Sequence, residues 1–225
     1  MNSVLPVCRT DVYRLWVAVA TTGLFLLSAA IQGGFRPDYD GWHQAVSALS
    51  LGPAGWVQQI SFVVLGVALV STAPVWRRVL ANGRGAYAYP LLIAVTGVSI
   101  VLVAWVPQDP APGYDPEQLG RALPTATGLI HLAIAGVAAT ASCAALFVMG
   151  ARFATQRPWR RWATYSRIAG ALTMICVVVY AVWSTQPSGL AGTFERLAVL
   201  VPGLWGTGVL ARLSAGVPLI VRRSD

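Results

Sequence analysis

The sequence predicts an all-α membrane protein, a bundle of six transmembrane helices forming one domain over residues 1–225 with both termini in the cytoplasm. Apolar residues make up 56% of the chain and charged residues only 11%, which is too few charges to cover a soluble protein of this size. The apolar residues also come in runs of about twenty, the length that an α-helix needs to cross hydrocarbon about 30 Å thick. The charged residues between these runs are sorted by sign.

The predicted spans cover residues 12–33, 56–76, 86–106, 126–150, 165–185 and 194–214. Each is apolar on nearly every side, whereas the helices of a soluble bundle carry a polar stripe. The first span has the composition of a signal peptide, but the charge alternation requires it, so we expect it to be retained. Small residues such as Gly136 in span four favour close helix packing, and Pro202 predicts a kink in span six.

The orientation follows from the arginines, because the chain contains sixteen of them and no lysine. Thirteen lie on one side, in or beside the segment before span one, the connections between spans two and three and between spans four and five, and the segment after span six. Six of the eight acidic residues lie in or directly beside the other three connections. The positive-inside rule then places both termini in the cytoplasm, with the bacterial inner (plasma) membrane as the expected location. The net charge of +8 therefore indicates topology, and no nucleic-acid partner is expected.

The connection between spans one and two has the pattern of a short outer helix over residues 41–51. Asp40 is a good N-cap, and Gly52 followed by Pro53 is a typical stop signal. His43, Ser47 and Ser50 would form one polar stripe on this helix. Such a helix either lies in the outer interface or folds back as a lid over the bundle.

An outer-leaflet polar pocket is predicted from four residues. His131 lies about one turn into span four, and an ionisable residue at that depth normally faces a cavity or a partner. Asp109 closes span three, while His43 and Ser47 enter the same layer from the first outer loop. The candidate catalytic residues are Asp109, His131 and His43, acting in acid–base chemistry on a lipid. No cofactor is favoured, the alternative being zinc held by His43, His131 and Asp109. In a non-catalytic interpretation, His131 makes an interhelical hydrogen bond.

Aromatic residues cluster near the same boundary. Trp42, Trp56 and Trp105 are placed to form an aromatic belt at the interface. In the alternative interpretation they line an isoprenoid pocket, where their ring faces stabilise a carbocation and Asp109 supplies the initiating proton. The candidate binding residues are Ser47, Trp42, Trp105, Arg121 and Tyr114.

Three segments resemble a known family. They are the run from His43 to Pro53, which contains His-x-x-x-Ser-x-Leu, the run from Trp105 to Pro110, and Gly128–His131. They are similar to landmarks of the bacterial membrane family known as domain of unknown function 998, and the resemblance extends from span one to span five. It implies the architecture and singles out the four pocket residues without assigning them roles.

Two looser likenesses concern lipids. The layout is similar to six-span proteins of the Sfk/DRAM type, which are associated with lipid handling. The set of Ser, Asp and His also resembles that of zinc-dependent ceramidase-like hydrolases, but this chain lacks a paired His-x-x-x-His and a seventh span.

Two classes of function are therefore predicted. The first is a protein that binds or acts on a lipid or isoprenoid, as a membrane-embedded hydrolase or an acid-initiated cyclase if it is an enzyme. The second is a non-catalytic protein that binds lipid or supports a complex with partner proteins, its polar cluster being structural. A coupled transporter ranks third, because the span centres carry no acid or arginine for a charge relay.

Overall fold

The computed structural model describes residues 9–37, 39–110, 124–184, 186, 189–217 and 219. These residues form α1 (Arg9–Gly34), α2 (Gly55–Leu80), α3 (Ala88–Val103), α4 (Ala126–Ala154), α5 (Arg160–Trp183) and α6 (Ala191–Ser214). Two short 3₁₀-helices cover Val46–Ser50 and Arg157–Trp159. The described residues contain no β-strand, so the predicted all-α class is confirmed.

Five helices, all except α3, are long and apolar enough to cross a membrane. The third helix has 16 residues, a length of about 24 Å, against the 21 residues predicted for its span. It begins late because Gly83 and Gly85 have φ values of +100° and +79°, a left-handed conformation that a helix does not contain. It ends early because Pro107 disfavours helical geometry at the residue before it.

The helices form a closed ring. Each packs against the next one along the chain, and α6 returns to pack against α1. Large apolar side chains cover the outside of this ring, among them Leu24 (61% exposed), Leu91 (63%) and Leu204 (62%). Water would penalise such a surface, whereas lipid chains solvate it.

Contacts between connections show which of them share an end of the ring. Near the end of α4, the buried Arg152 donates to the carbonyl oxygens of Asn82 (2.7 Å) and Leu80 (3.2 Å), where α2 ends. In the first turn of α1, Asp11 pairs with Arg78 at 2.6 Å. The α2–α3 and α4–α5 connections and the start of α1 therefore lie together, and we call this the arginine-rich end. The opposite end, with the α1–α2, α3–α4 and α5–α6 connections, is called the acidic end.

The closest helix crossing joins α2 and α3 through two opposed glycines. A Cβ built on Gly66 would lie 2.5 Å from the carbonyl oxygen of Gly97, and one built on Gly97 would lie 2.6 Å from that of Gly66. Because both obstacles are backbone atoms, a side chain at either position forces the helices apart. The same mode of packing, with small residues at the contact, is typical of helices in membranes.

We expect Gly66→Ala to lower the free energy of unfolding by about 1–3 kcal/mol, the usual cost of overpacking. Thermal unfolding of the purified protein in detergent, followed by tryptophan fluorescence, measures the effect. Gly23→Ala is the matched control, since a Cβ there meets nothing within 4 Å and alanine favours the helix. Equal stability of the two variants would contradict the close crossing.

Candidate functional site

The ring encloses a cavity of about 350 Å³ to which all six helices contribute. Most of its wall is apolar, and the aromatic side chains that line it are Phe25, Phe62, Trp76, Tyr89, Tyr180 and Trp205. Four polar side chains line it at the acidic end, namely Ser47, His131, Tyr180 and Glu195. The cavity is thus long and apolar with one polar end.

A folded segment of the α1–α2 connection closes that polar end. The predicted helix over 41–51 is wrong in extent and type, because residues 41–44 form turns and only Val46–Ser50 is helical, as a 3₁₀-helix. Val46 and Leu49 are 1% and 0% exposed, so the segment folds into the bundle as a lid instead of lying in the interface. A continuous α-helix is prevented because carbonyl groups of residues 41–45 are bound by side chains and by α6.

The first turn of α6 supplies backbone donors to this segment. The Gly192 amide donates to the His43 carbonyl oxygen at 3.1 Å, and the Thr193 amide donates to that of Trp42 at 3.0 Å. The approach requires glycine, because a Cβ on Gly192 would lie 2.1 Å from the carbonyl oxygen of Gln44. Free amides at the start of a helix are therefore satisfied by free carbonyls of the lid.

Arg196 fastens the same junction through its guanidinium group. Its Nη1 donates to the carbonyl oxygens of Gly41 (2.7 Å), Gln44 (3.2 Å) and Gly192 (2.8 Å), and its Nη2 bonds the Tyr39 hydroxyl. The Tyr39 hydroxyl in turn donates to the Ala45 carbonyl at 3.0 Å. Burial raises the pKa of Tyr39 to about 12, although Arg196 acts in the opposite direction, so the phenol stays protonated.

Glu195 lies beside Arg196 but faces the cavity. Its Oε2 accepts a hydrogen bond from the Val46 amide at the start of the lid helix. Among the residues that the structure describes, no cation lies within ion-pair distance of this carboxylate. A carboxylate in an apolar wall is therefore held by one backbone amide.

His131 lines the cavity from α4. It is 5% exposed, and its Nδ1 lies 2.6 Å from the carbonyl oxygen of Val106. Since a carbonyl only accepts, Nδ1 carries the proton, and the neutral ring then presents the lone pair of Nε2. The partner of His131 is thus a backbone carbonyl in the α3–α4 connection and not a side chain of a loop acid or hydroxyl, and the other ring nitrogen is available to the cavity.

Ser47 lines the cavity from the lid. Its hydroxyl donates to the Gln108 side-chain oxygen, which ties the lid to the α3–α4 connection. Its oxygen keeps lone pairs that can accept a hydrogen bond.

Asp109 is an outer cap for α4 and does not line the cavity. It accepts from the Thr125 amide at 2.9 Å and from the Thr125 hydroxyl at 2.6 Å, while that hydroxyl accepts from the Gly128 amide at 3.0 Å. A Cβ on Gly128 would lie 2.0 Å from Oδ2 of Asp109, so this cap requires glycine. Asp109 and His131 do share one end of the bundle, at the α3–α4 junction.

His43 pairs with Asp40 outside the cavity. Its Nδ1 lies 2.7 Å from Oδ2 of Asp40, and Oδ1 of Asp40 accepts from the Trp42 amide at 2.8 Å. Slight desolvation acts to raise the pKa of Asp40, but the hydrogen bonds from Trp42 and His43 outweigh it and hold the pKa below its ordinary value. This pair stabilises the turn that leads into the lid.

The predicted pocket residues are therefore divided between two places, with Ser47 and His131 in the cavity wall and Asp109 and His43 in its supports. Trp42 and Trp105 are 67% and 73% exposed and lie outside the cavity wall, as expected of an interfacial belt. Arg121 and Tyr114 lie outside the described residues. In the described ranges no three His, Cys, Asp or Glu side chains form a group that could hold a metal ion. Zinc at His43, His131 and Asp109 stays an untested prediction.

Sequence reasoning missed Glu195 and Tyr180 as cavity residues. Glu195 had the same signal as His131, an ionisable side chain inside an apolar run. It was counted among the acids of the outer loops because the sixth span was expected to begin only one residue earlier. Tyr180 had no distinguishing signal, since aromatic residues occur on every face of these helices.

One comparison with known proteins gives a match. The sequence model of the family described as "Protein of unknown function (DUF998)" matches residues 19–212. No curated protein matches the chain, and neither does any solved structure.

We expect Asp109→Asn to lower the free energy of unfolding by about 1–2 kcal/mol, because one of its two acceptor oxygens becomes a donor at a helix cap. Thermal and denaturant unfolding measure it. Thr125→Val should lower stability as well, and the double variant should lose less than the sum of both. Additive losses would show that the two side chains act independently.

We expect stability to depend on Asp40 at acidic pH. A carboxyl with a lowered pKa in the folded state contributes stability above its unfolded pKa, near 4, and this contribution is lost as the pH falls through the lower folded value. The thermal midpoint of the wild type should therefore drop more steeply between pH 5 and pH 3 than that of Asp40→Asn. Parallel pH profiles for the two proteins would contradict a hydrogen-bonded Asp40.

Proposed function

The chain belongs to the DUF998 family, and we propose that it binds an elongated apolar molecule, a membrane lipid or an isoprenoid, inside its ring of helices. The observation that carries the proposal is the cavity inside the ring, which has an apolar wall and one polar end. Ligand sites typically have volumes of about 300–1,000 Å³, apolar walls and a few polar groups that fix orientation. The cavity, at about 350 Å³, falls within this range.

Four threonine hydroxyl groups along the cavity add little polarity to it. Those of Thr22, Thr72, Thr96 and Thr173 donate to carbonyl oxygens of their own helices. Ser142 also lines the cavity. Each threonine therefore presents mainly its methyl group to the space. This supports an apolar occupant over most of the length of the cavity.

The apolar wall also supports an apolar occupant. A hydrocarbon chain makes van der Waals contacts with such a wall, whereas water in an apolar space lacks hydrogen-bond partners.

We propose further that all six helices cross a bacterial inner membrane, with the arginine-rich end in the cytoplasm. The distribution of arginines supports this orientation, and so does the apolar exterior of the ring. The short α3 requires the bilayer to thin locally at its outer surface or its flanking turns to enter the interface, both of which have a modest cost.

Binding without catalysis is the form of this function that the geometry favours. Of the three candidate catalytic residues only His131 lines the cavity, whereas Asp109 and His43 do not. Asp109 already accepts two hydrogen bonds from Thr125, and His43 is paired with Asp40. Both side chains have structural roles that account for their positions.

We expect Ala139→Trp to reduce the amount of lipid that stays bound, because Ala139 lines the cavity and an indole would occupy its centre. Lipid extraction and mass spectrometry of protein washed in mild detergent would give the molar ratio of lipid to chain. The wild type should retain about one molecule per chain and the variant at least fivefold less.

Ala171→Trp is the matched control, since Ala171 is exposed on α5 and does not line the cavity. It should retain lipid as the wild type does. A wild type that retains none after washing, or equal retention by the two tryptophan variants, would overturn the proposal.

A further inference from the structure

The polar end of the cavity consists of hydrogen-bond acceptors. Glu195 presents a carboxylate of which one oxygen accepts from the Val46 amide. His131 has its Nδ1 proton engaged by the Val106 carbonyl and presents the Nε2 lone pair. Ser47 has its proton engaged by Gln108 and presents oxygen lone pairs. The protons of Ser47 and His131 are thus engaged outside the cavity, and an ionised Glu195 has none to donate.

The positive charge nearest in the sequence is turned away from this cluster. Arg196 follows Glu195, but its guanidinium donates to the Gly41, Gln44 and Gly192 carbonyls and to the Tyr39 hydroxyl, all at the lid. No described residue with a cationic side chain lines the cavity, and the hydroxyl of Tyr180 is a hydrogen-bond donor in this part of its wall. The acceptors therefore outnumber the donors.

A structural role explains only part of this arrangement. Holding the lid needs one oxygen at position 195, and a glutamine would supply it without a charge. An ionised carboxylate in an apolar wall is costly when a single amide is its donor, and a cationic partner lowers that cost. A ligand with a cationic end, bound in the cavity, would supply this partner for Glu195.

Resting on the proposed function, we infer that the ligand is a single-chain amphiphile whose polar end is a cationic amine, bound by Glu195 with His131 and Ser47 as further acceptors. An ammonium has three donors and no acceptor, which matches three acceptor groups. A carboxylate end, as in a fatty acid, would face Glu195 as a like charge. A hydroxyl end would satisfy one acceptor and leave the charge of Glu195 unpaired.

The test compares three probes with the same twelve-carbon chain, namely dodecylamine, dodecanol and dodecanoate, by native mass spectrometry of delipidated protein in detergent at neutral pH. The wild type should bind dodecylamine at least tenfold more tightly than dodecanol, with dodecanoate weakest. Ala139→Trp should reduce binding of all three, which locates them in the cavity.

Glu195→Gln keeps the acceptor for the Val46 amide and removes the charge. Its affinity for dodecylamine should be at least tenfold lower than that of the wild type. Its affinity for dodecanol should equal that of the wild type. Asp11→Asn is the control, because it removes one negative charge at the arginine-rich end. It should keep the preference for the amine.

The outcomes separate the two proposals. Equal binding of amine and alcohol to the wild type, or preference for dodecanoate, overturns the amine inference and leaves an apolar-ligand site. A preference that survives Glu195→Gln overturns it too. No binding of any probe to the cavity overturns both. If Glu195→Gln does not fold, the order of the three probes on the wild type still decides.

Discussion

The junction between the first turn of α6 and the α1–α2 connection is the contact on which the rest of the structure depends. Irregular backbone near a membrane must find internal partners for its carbonyl groups, because hydrocarbon offers none. The start of a helix has the complementary problem, four amides without intrahelical acceptors. Here Gly192 and Thr193 donate to the lid carbonyls, and Arg196 binds two more. One set of contacts therefore closes the helix ring between its first and last members and covers the acidic end of the cavity.

Closing the ring in this way has an electrostatic consequence. The guanidinium of Arg196 is bound to the lid, so the neighbouring carboxylate of Glu195 has no described ion-pair partner. Arg196 therefore holds the lid, whereas Glu195 faces the cavity beneath it. Buried charges of this kind are weak contributors to stability, and their cost is best explained where a ligand supplies the missing partner. The supports around them, Asp40 with His43 and Asp109 with Thr125, position the lid and α4 from outside the wall.

The sequence was sufficient for the architecture because hydrocarbon imposes strong rules on it. Length, apolar runs and arginine placement predicted six helices and which connections share an end, and the structure places two of the predicted pocket residues, His131 and Ser47, in the cavity wall. The lid was harder, since Asp40 and Gly52-Pro53 fit a short α-helix as well as they fit turns. Its geometry is decided by α6, about 150 residues away in the chain, and local propensity carries no information about such a contact. The capping contact of Asp109 with Thr125 was not predicted for a related reason, because a capping carboxylate and a catalytic one look alike in a sequence.

The two ends of the cavity differ in a way that orients any occupant. At the arginine-rich end Trp159 stacks on Phe153 with ring centroids 4.7 Å apart, and Trp205 donates to Ser166 at 2.9 Å, so aromatic packing closes that end without presenting an acceptor cluster. A molecule with one polar end then lies with that end under the lid and its chain towards the aromatic cluster. With the arginine-rich end in the cytoplasm, as proposed, this is the direction in which lipids of the outer leaflet already point. Such a molecule enters the ring without turning over, which avoids moving its polar end through hydrocarbon, the costliest step of any exchange between leaflets.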